Sequence, residues 1–132
     1  MGVTRLKIGI TGATGLIGRN LCTVLLESGH QLRLFIRKPT NRPTDIEQVQ
    51  CDLVSEPPSS KDLAGLDAVV HLAGESIASG RWTKLRRKRI WESRISGTRN
   101  LVHAILSQDE SPLKTFISAS ATGFYGNRGE VL

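Results

Sequence analysis

Residues 7–20, KIGITGATGLIGRN, carry an apolar run straight into three glycines spaced three apart, Gly12, Gly15 and Gly18. The run before them, residues 5–11, suits a buried strand. Behind them Leu16, Ile17, Leu21, Val24 and Leu25 recur at helical spacing, and Gly29 follows as a stop signal. Glycine weakens strands and helices alike, so three at one strand-to-helix junction mark a turn with unusual geometric demands.

The rest of the chain repeats the same grammar. Residues 31–36, QLRLFI, read as a second strand, and IEQVQC as a weak third. A loop, DLVSEPPSSKD, leads to at most a short helix. Residues 66–74, LDAVVHLAG, form a fourth apolar run ended by Gly74. Residues 83–107 predict a long helix with Trp91, Ile95, Thr98, Val102 and Ile105 on one stripe, and a fifth strand lies near residues 114–118. No internal repeat or low-complexity segment interrupts the order, and the length fits one domain. Apolar strands separated by helices argue an α/β fold with a parallel sheet buried on both faces.

That context gives each glycine a task. In a dinucleotide-binding turn, Gly12 permits the sharp exit from the strand. Gly15 removes a side chain so that a pyrophosphate can approach the backbone, and Gly18 lets the helix pack close to the strand. The free N–H groups and positive dipole end of the new helix face the phosphates. A binder of NAD carries Asp or Glu about 20 residues past the glycines, to hold the ribose 2′-hydroxyl. Here the second strand runs into IRKP, with Arg37 and Lys38 and no acid. A carboxylate there repels a 2′-phosphate, whereas an arginine fork binds it at two points. Arg19 adds a cation at the mouth of the turn, so Arg19 and Arg37 argue for NADP(H) over NAD(H). Asp52, in CDL, suits an acceptor for the adenine amino group and equally a turn residue.

Charge and composition narrow the alternatives. The net charge is +6, but residues 81–99 alone carry eight Lys or Arg and one Glu, a sum of +7, so the other 113 residues sum to −1. The core of that segment, KLRRKR at 84–89, lacks the interleaved aromatics of a single-strand nucleic-acid groove, since Trp82 and Trp91 only flank it. Nucleic acid is therefore not the expected partner. A solvated helix start explains the segment more simply, although cations there oppose the helix dipole. Cys22 and Cys51 form neither a disulfide framework nor a metal spacing and read as buried or half-buried reduced thiols. His30, His71 and His103 show no ligand pattern, so no metal is expected. No apolar stretch approaches the roughly 18 residues of a membrane span, and no signal peptide or myristoylation motif opens the chain. The expected setting is cytoplasmic.

Four motifs in sequence resemble the extended and atypical short-chain dehydrogenase/reductase superfamily: TGATGLIG, CDL, HLAGE with SRISGTRNLVHAI, and FISASATGFYG. Their order and spacing are similar to its NAD(P)-dependent epimerase-like subgroup along nearly the whole chain. The resemblance implies a Rossmann-type doubly wound parallel sheet of about five strands in the order 3-2-1-4-5, with a nicotinamide cofactor. It implies that Gly12, Thr14, Gly15, Leu16, Ile17 and Arg19 border that cofactor at the turn. It adds Arg37, Asp52 and Leu53 beyond the next strands, and Leu72, Ala73 and Gly74 under the adenosine and ribose portion. Ser118 falls near the nicotinamide, and Ser120 matches the superfamily's catalytic serine, whose hydroxyl polarises a substrate carbonyl. The superfamily's catalytic Tyr-x-x-x-Lys pair has no counterpart, since Tyr125 is the sole tyrosine and Gly129 follows it by four. Arg94 stands where many extended members carry Asn. The expectation is the N-terminal NAD(P)-binding domain, residues 1–132, of a longer protein, truncated before its substrate-binding part.

Three functional readings fit these residues. The first is the cofactor half of an NADP-dependent oxidoreductase or epimerase acting on an unidentified small carbonyl or sugar-type substrate, binding cofactor without turnover as this chain stands. The second is an NADP-sensing module, and the third a nucleic-acid-binding protein that uses the basic helix. A homodimer through the long helix is implied by the resemblance, and an exposed sheet edge offers a second route to association.

Overall fold

Seven elements follow one another: β1 (Lys7–Thr11), α1 (Leu16–Glu27), β2 (Gln31–Ile36), β3 (Glu47–Gln50), β4 (Ala68–His71), α2 (Lys84–Leu106) and β5 (Thr115–Ser118). The computed structural model describes residues 2–41, 46–109 and 113–120. All five strands are parallel in one sheet of order β3-β2-β1-β4-β5. That is the Rossmann order the resemblance implies.

Alternation along the strands sorts the core into two layers. Ile8, Ile10, Leu32, Leu34 and Ile36 face α1 and pack with Cys22 and Ile46. Phe35 and Val69 turn the other way and pack with Cys51, Leu63, Leu66 and Leu101 beneath α2. Ile10, Leu34, Val69 and Leu101 are fully buried, and burying each such side chain contributes about 1.5–3 kcal/mol. Edge strand β3 is short and polar, and charge ties it inward. Glu47 accepts from Lys7 Nζ and Arg33 Nε, both at 2.6 Å, and these bonds hold its carboxyl below the usual range.

Each helix meets the sheet through only part of its apolar face. On α1 the buried residues are Gly18 and Cys22, flanked by Leu21 and Leu25. Leu16, Ile17 and Val24, which share the apolar periodicity, are exposed. On α2 the buried residues are Gly97 and Leu101, with Ala104 and Ile105 beside them. The stripe expected from Trp91 through Ile105 is therefore rotated: Trp91 and Ile95 face solvent. Small residues decide this. A methyl on Gly97 would lie 3.3 Å from Leu53 Cβ, so the helix settles where it can approach most closely. The 51–67 connection contains turns and an Asp52–Glu56 bridge rather than a short helix.

Candidate functional site

The chain returns over one face of the sheet after β1 and over the other after β4. Their C-terminal ends therefore diverge, and this reversal of strand order leaves a crevice. A cleft of about 980 Å³ opens there. Gly12, Thr14 and Gly15 line it from the β1–α1 turn, and Arg37 and Lys38 from the end of β2. Asp52 and Leu53 line it beyond β3, Leu72, Ala73 and Gly74 beyond β4, and Glu75, Arg89, Glu92 and Ser93 from the α2 side.

The glycines differ in why they are glycine. Gly12 has φ +71°, and a methyl on it would sit 2.6 Å from the Leu72 carbonyl carbon and 2.7 Å from Ala73 N. A methyl on Gly18 would overlap the Gly12 carbonyl oxygen. Both are required by the fold itself. Gly15 is not. It has φ −74° and ψ 175°, and a methyl on it would meet only the Gly12 oxygen, at 3.4 Å. It is also the N-cap of α1, a position where Ser, Asp or Asn would satisfy an orphan N–H, yet α1 has no side-chain cap. Packing allows and capping favours a side chain at this position, so its absence keeps the cleft wall open in front of the helix N–H groups.

The β2 wall is held in place by β3. Gln48 Oε1 accepts from Thr40 N and Gln48 Nε2 donates to Thr40 O, both at 3.1 Å, while Gln50 Nε2 donates to Arg37 O at 3.2 Å. Asp52 Oδ1 accepts from Val54 N at 2.9 Å and Ser55 N at 3.2 Å. Burial pushes its pKa up, but those N–H groups and the Arg37 charge outweigh burial and hold the carboxylate below its usual value. Asp52 thus builds a turn and lines the cleft at once. Neighbouring Cys51 is pushed up to about 11, by burial first and then by Asp62 and Asp52, so it stays an unreactive thiol.

A buried chain of hydrogen bonds joins β1, β4 and α2 under the cleft. Thr11 Oγ1 accepts from Leu72 N and Ala73 N, each at 3.2 Å. Its own proton therefore goes to His71 Nδ1, 2.7 Å away, which leaves His71 Nε2–H to donate to Thr98 Oγ1 at 2.8 Å. Burial pushes the His71 pKa below its usual 6.5. The sign follows: between the usual value and the lowered one the unfolded chain binds the proton and the folded chain does not. Stability is therefore full above about pH 6.5 and falls as the pH drops below it. Urea midpoints at pH 7.5 and 5.5 test this. The wild-type midpoint should fall at pH 5.5, and the fall should shrink in His71→Gln; an identical fall in the variant would assign it to other groups.

The basic start of α2 is partly structural. Thr83 caps it, accepting from Arg86 N at 3.1 Å. Arg86 donates to the Ser76 carbonyl at 2.6 Å and Arg94 to the Glu75 carbonyl at 3.0 Å, while Ser93 Oγ accepts from Glu75 N at 3.0 Å. These bonds pin the segment after Gly74 to α2. Arg94 thus supports the cleft wall through backbone contacts.

Of the expected binding residues, nine line one cleft: Gly12, Thr14, Gly15, Arg37, Asp52, Leu53, Leu72, Ala73 and Gly74. Leu16, Ile17 and Arg19 lie exposed on the first turn of α1, outside the lining residues. Ser118 ends β5 in register with His71, and Ser120 follows it; both are exposed and outside the lining. Tyr125 lies outside the described residues. Sequence reasoning missed the contributions of Glu75, Arg89, Glu92 and Ser93. Nothing in local periodicity marks them: Arg89, Glu92 and Ser93 reach the cleft because α2 crosses above Leu53, and Glu75 because it follows directly on Gly74. Among the described residues no group of side chains could hold a metal ion, and no helix is long and apolar enough to cross a membrane.

Residues 8–131 match the NAD dependent epimerase/dehydratase family. The chain is 37% identical over 122 residues to the epimerase family protein YfhF of Bacillus subtilis, covering 92% of this chain and 39% of that protein. It is similar to the nucleoside-diphosphate sugar epimerase of Corynebacterium glutamicum, with 33% identity, TM-score 0.72, and coverage of 97% of this chain and 25% of that one. It is also similar to the human epimerase family protein SDR39U1 (isoform 2), solved with NADPH, with 28% identity, TM-score 0.71, and coverage of 91% and 38%. The chain thus spans well under half the length of these relatives.

Proposed function

Because this chain belongs to the NAD dependent epimerase/dehydratase family, we propose that it is the NADP-binding domain of an epimerase-like oxidoreductase acting on a carbonyl or sugar-type substrate. The observation that carries the reading is Gly15. The fold does not require a glycine there, and a capping residue would serve α1 better, whereas a pyrophosphate at the helix N-terminus requires an uncovered backbone. The bound cofactor would supply hydride chemistry. The residues of this chain would bind and orient it, with the glycine turn and α1 at the pyrophosphate, Asp52 and Leu53 at the adenine, and Leu72 to Gly74 beneath the ribose. Ser118 and Ser120 stand on the β5 side, the side proposed for the nicotinamide and substrate, and Ser120 is the proposed catalytic serine. The Tyr-x-x-x-Lys pair is absent from the sequence, so cofactor binding without turnover is expected, in a cytoplasmic setting. The exposed stripe of Trp91 and Ile95 on α2 is read as a homodimer contact.

The preference for NADP is supported by Arg37 and Lys38 on a cleft wall that carries no acid at the end of β2. Titrating the chain with NADPH and NADH, followed by the fluorescence of Trp82 and Trp91, tests it. NADPH should bind at least about tenfold tighter, which is 1.4 kcal/mol. Arg37→Asp should reverse that order, because its carboxylate repels a 2′-phosphate and can accept from a 2′-hydroxyl. Equal affinity of the wild type for both cofactors would remove the NADP assignment.

A further inference from the structure

Arg89 stands apart from the cations around it. Arg86 and Arg94 are spent on the Ser76 and Glu75 carbonyls, and Lys88 lies 3.7 Å from Glu92 Oε1. Arg89 is exposed, lines the cleft, and has no hydrogen-bond or ion-pair partner among the described residues. Helix geometry fixes which end of the cleft it serves. Arg89 and Ser93 are four residues apart and so share one flank of α2. Asn100, three turns along the same flank, donates to Leu53 O at 2.8 Å and Val54 O at 3.3 Å. Ser93 on that flank also meets Glu75 beyond β4, and the flank as a whole runs beside the segment beyond β3. There Asp52 already feels the Arg37 charge from the opposite wall, and its Oδ1 is engaged by two backbone N–H groups. Two guanidinium groups thus overlook one end of the cleft from different walls. A phosphate bound between them would gain two charge-assisted contacts. Of the cleft carboxylates, Glu92 is turned to Lys88, and Asp52 is held by two backbone N–H groups and the Arg37 charge, which leaves Glu75 as the acid Arg89 must be weighed against.

We propose that Arg89 is a phosphate ligand at the adenosine end of the bound dinucleotide, closing on it from α2 opposite Arg37. This rests on the dinucleotide reading above and adds a residue that the glycine turn and β2 do not predict.

The test titrates the wild-type chain, Arg89→Ala, Arg89→Lys and Arg87→Ala with NADPH, NADH and 2′,5′-ADP, with circular dichroism to confirm folding. Arg87 is exposed and outside the cleft lining, so it controls for general basicity. Arg89→Ala should weaken NADPH at least about tenfold, Arg89→Lys should fall between, and Arg87→Ala should match the wild type. Loss confined to NADPH and 2′,5′-ADP puts the contact on the 2′-phosphate; equal loss for NADH puts it on the pyrophosphate. Either supports the assignment. If Arg89→Ala does not fold, Arg89→Gln carries the same expectation. Wild-type affinity in folded Arg89→Ala, or an equal loss in Arg87→Ala, overturns the role of Arg89 and leaves the dinucleotide reading intact. A folded wild type that binds no dinucleotide overturns both.

Discussion

Gly12→Ala is expected to destabilise the chain by about 2–5 kcal/mol, the sum of a left-handed backbone strain of about 1–2 kcal/mol and an overpacking cost of about 1–3 kcal/mol. The new methyl would meet backbone, the Leu72 carbonyl and the Ala73 nitrogen, so no rotamer change relieves it. The same two residues donate to Thr11 Oγ1. Pushing them away also loosens the Thr11–His71–Thr98 chain that ties β1, β4 and α2 together. Against a total stability of about 5–15 kcal/mol this is a large fraction, and the melting temperature should fall by roughly 10 °C. Urea or thermal unfolding followed by circular dichroism measures it. An unchanged midpoint would mean that the turn accepts a side chain, and the sharp exit from β1 would need another explanation.

Gly15→Ser separates binding from folding. Serine suits the N-cap, its Cβ has ordinary space, and the glycine it replaces has negative φ. Stability should hold or rise by roughly a few tenths of a kcal/mol as α1 gains the cap it lacks. The same hydroxymethyl group would occupy the place left open for a pyrophosphate. Affinity for NADPH and NADH should therefore fall together, by at least about tenfold. A fall in stability would show that Gly15 is structural after all. Retained affinity with retained stability would move the pyrophosphate away from this turn and remove the main support for the proposed function. The pair of variants is informative because two glycines three residues apart are predicted to fail in opposite ways.

Much of this was legible locally. A strand-period run, a glycine triplet and a helix-period run at residues 7–27 are each visible in a short window, and they define the β1–α1 turn. The absence of an acid after Ile36 is equally local. The four apolar runs and the two long helical segments predict a parallel sheet covered on both sides, and the sheet order agrees with it.

The helix faces were not legible. Apolar spacing selects Trp91 and Ile95, or Leu16 and Ile17, as readily as the residues that are buried. The buried ones are chosen by how near two backbones can come, which depends on Gly18 meeting the β1 turn and Gly97 meeting Leu53. The dual use of Asp52, the tautomer of His71 and the presence of Arg89 on the cleft wall have the same origin. Each depends on a partner far along the chain or on another element, or on the angle at which α2 crosses the sheet. The sequence by itself determined the elements, the sheet and the turn, because those follow from the periodicity and backbone freedom of adjacent residues. Only the tertiary structure decided which helix flank overlooks the cleft, because close approach between distant segments is a property of packing.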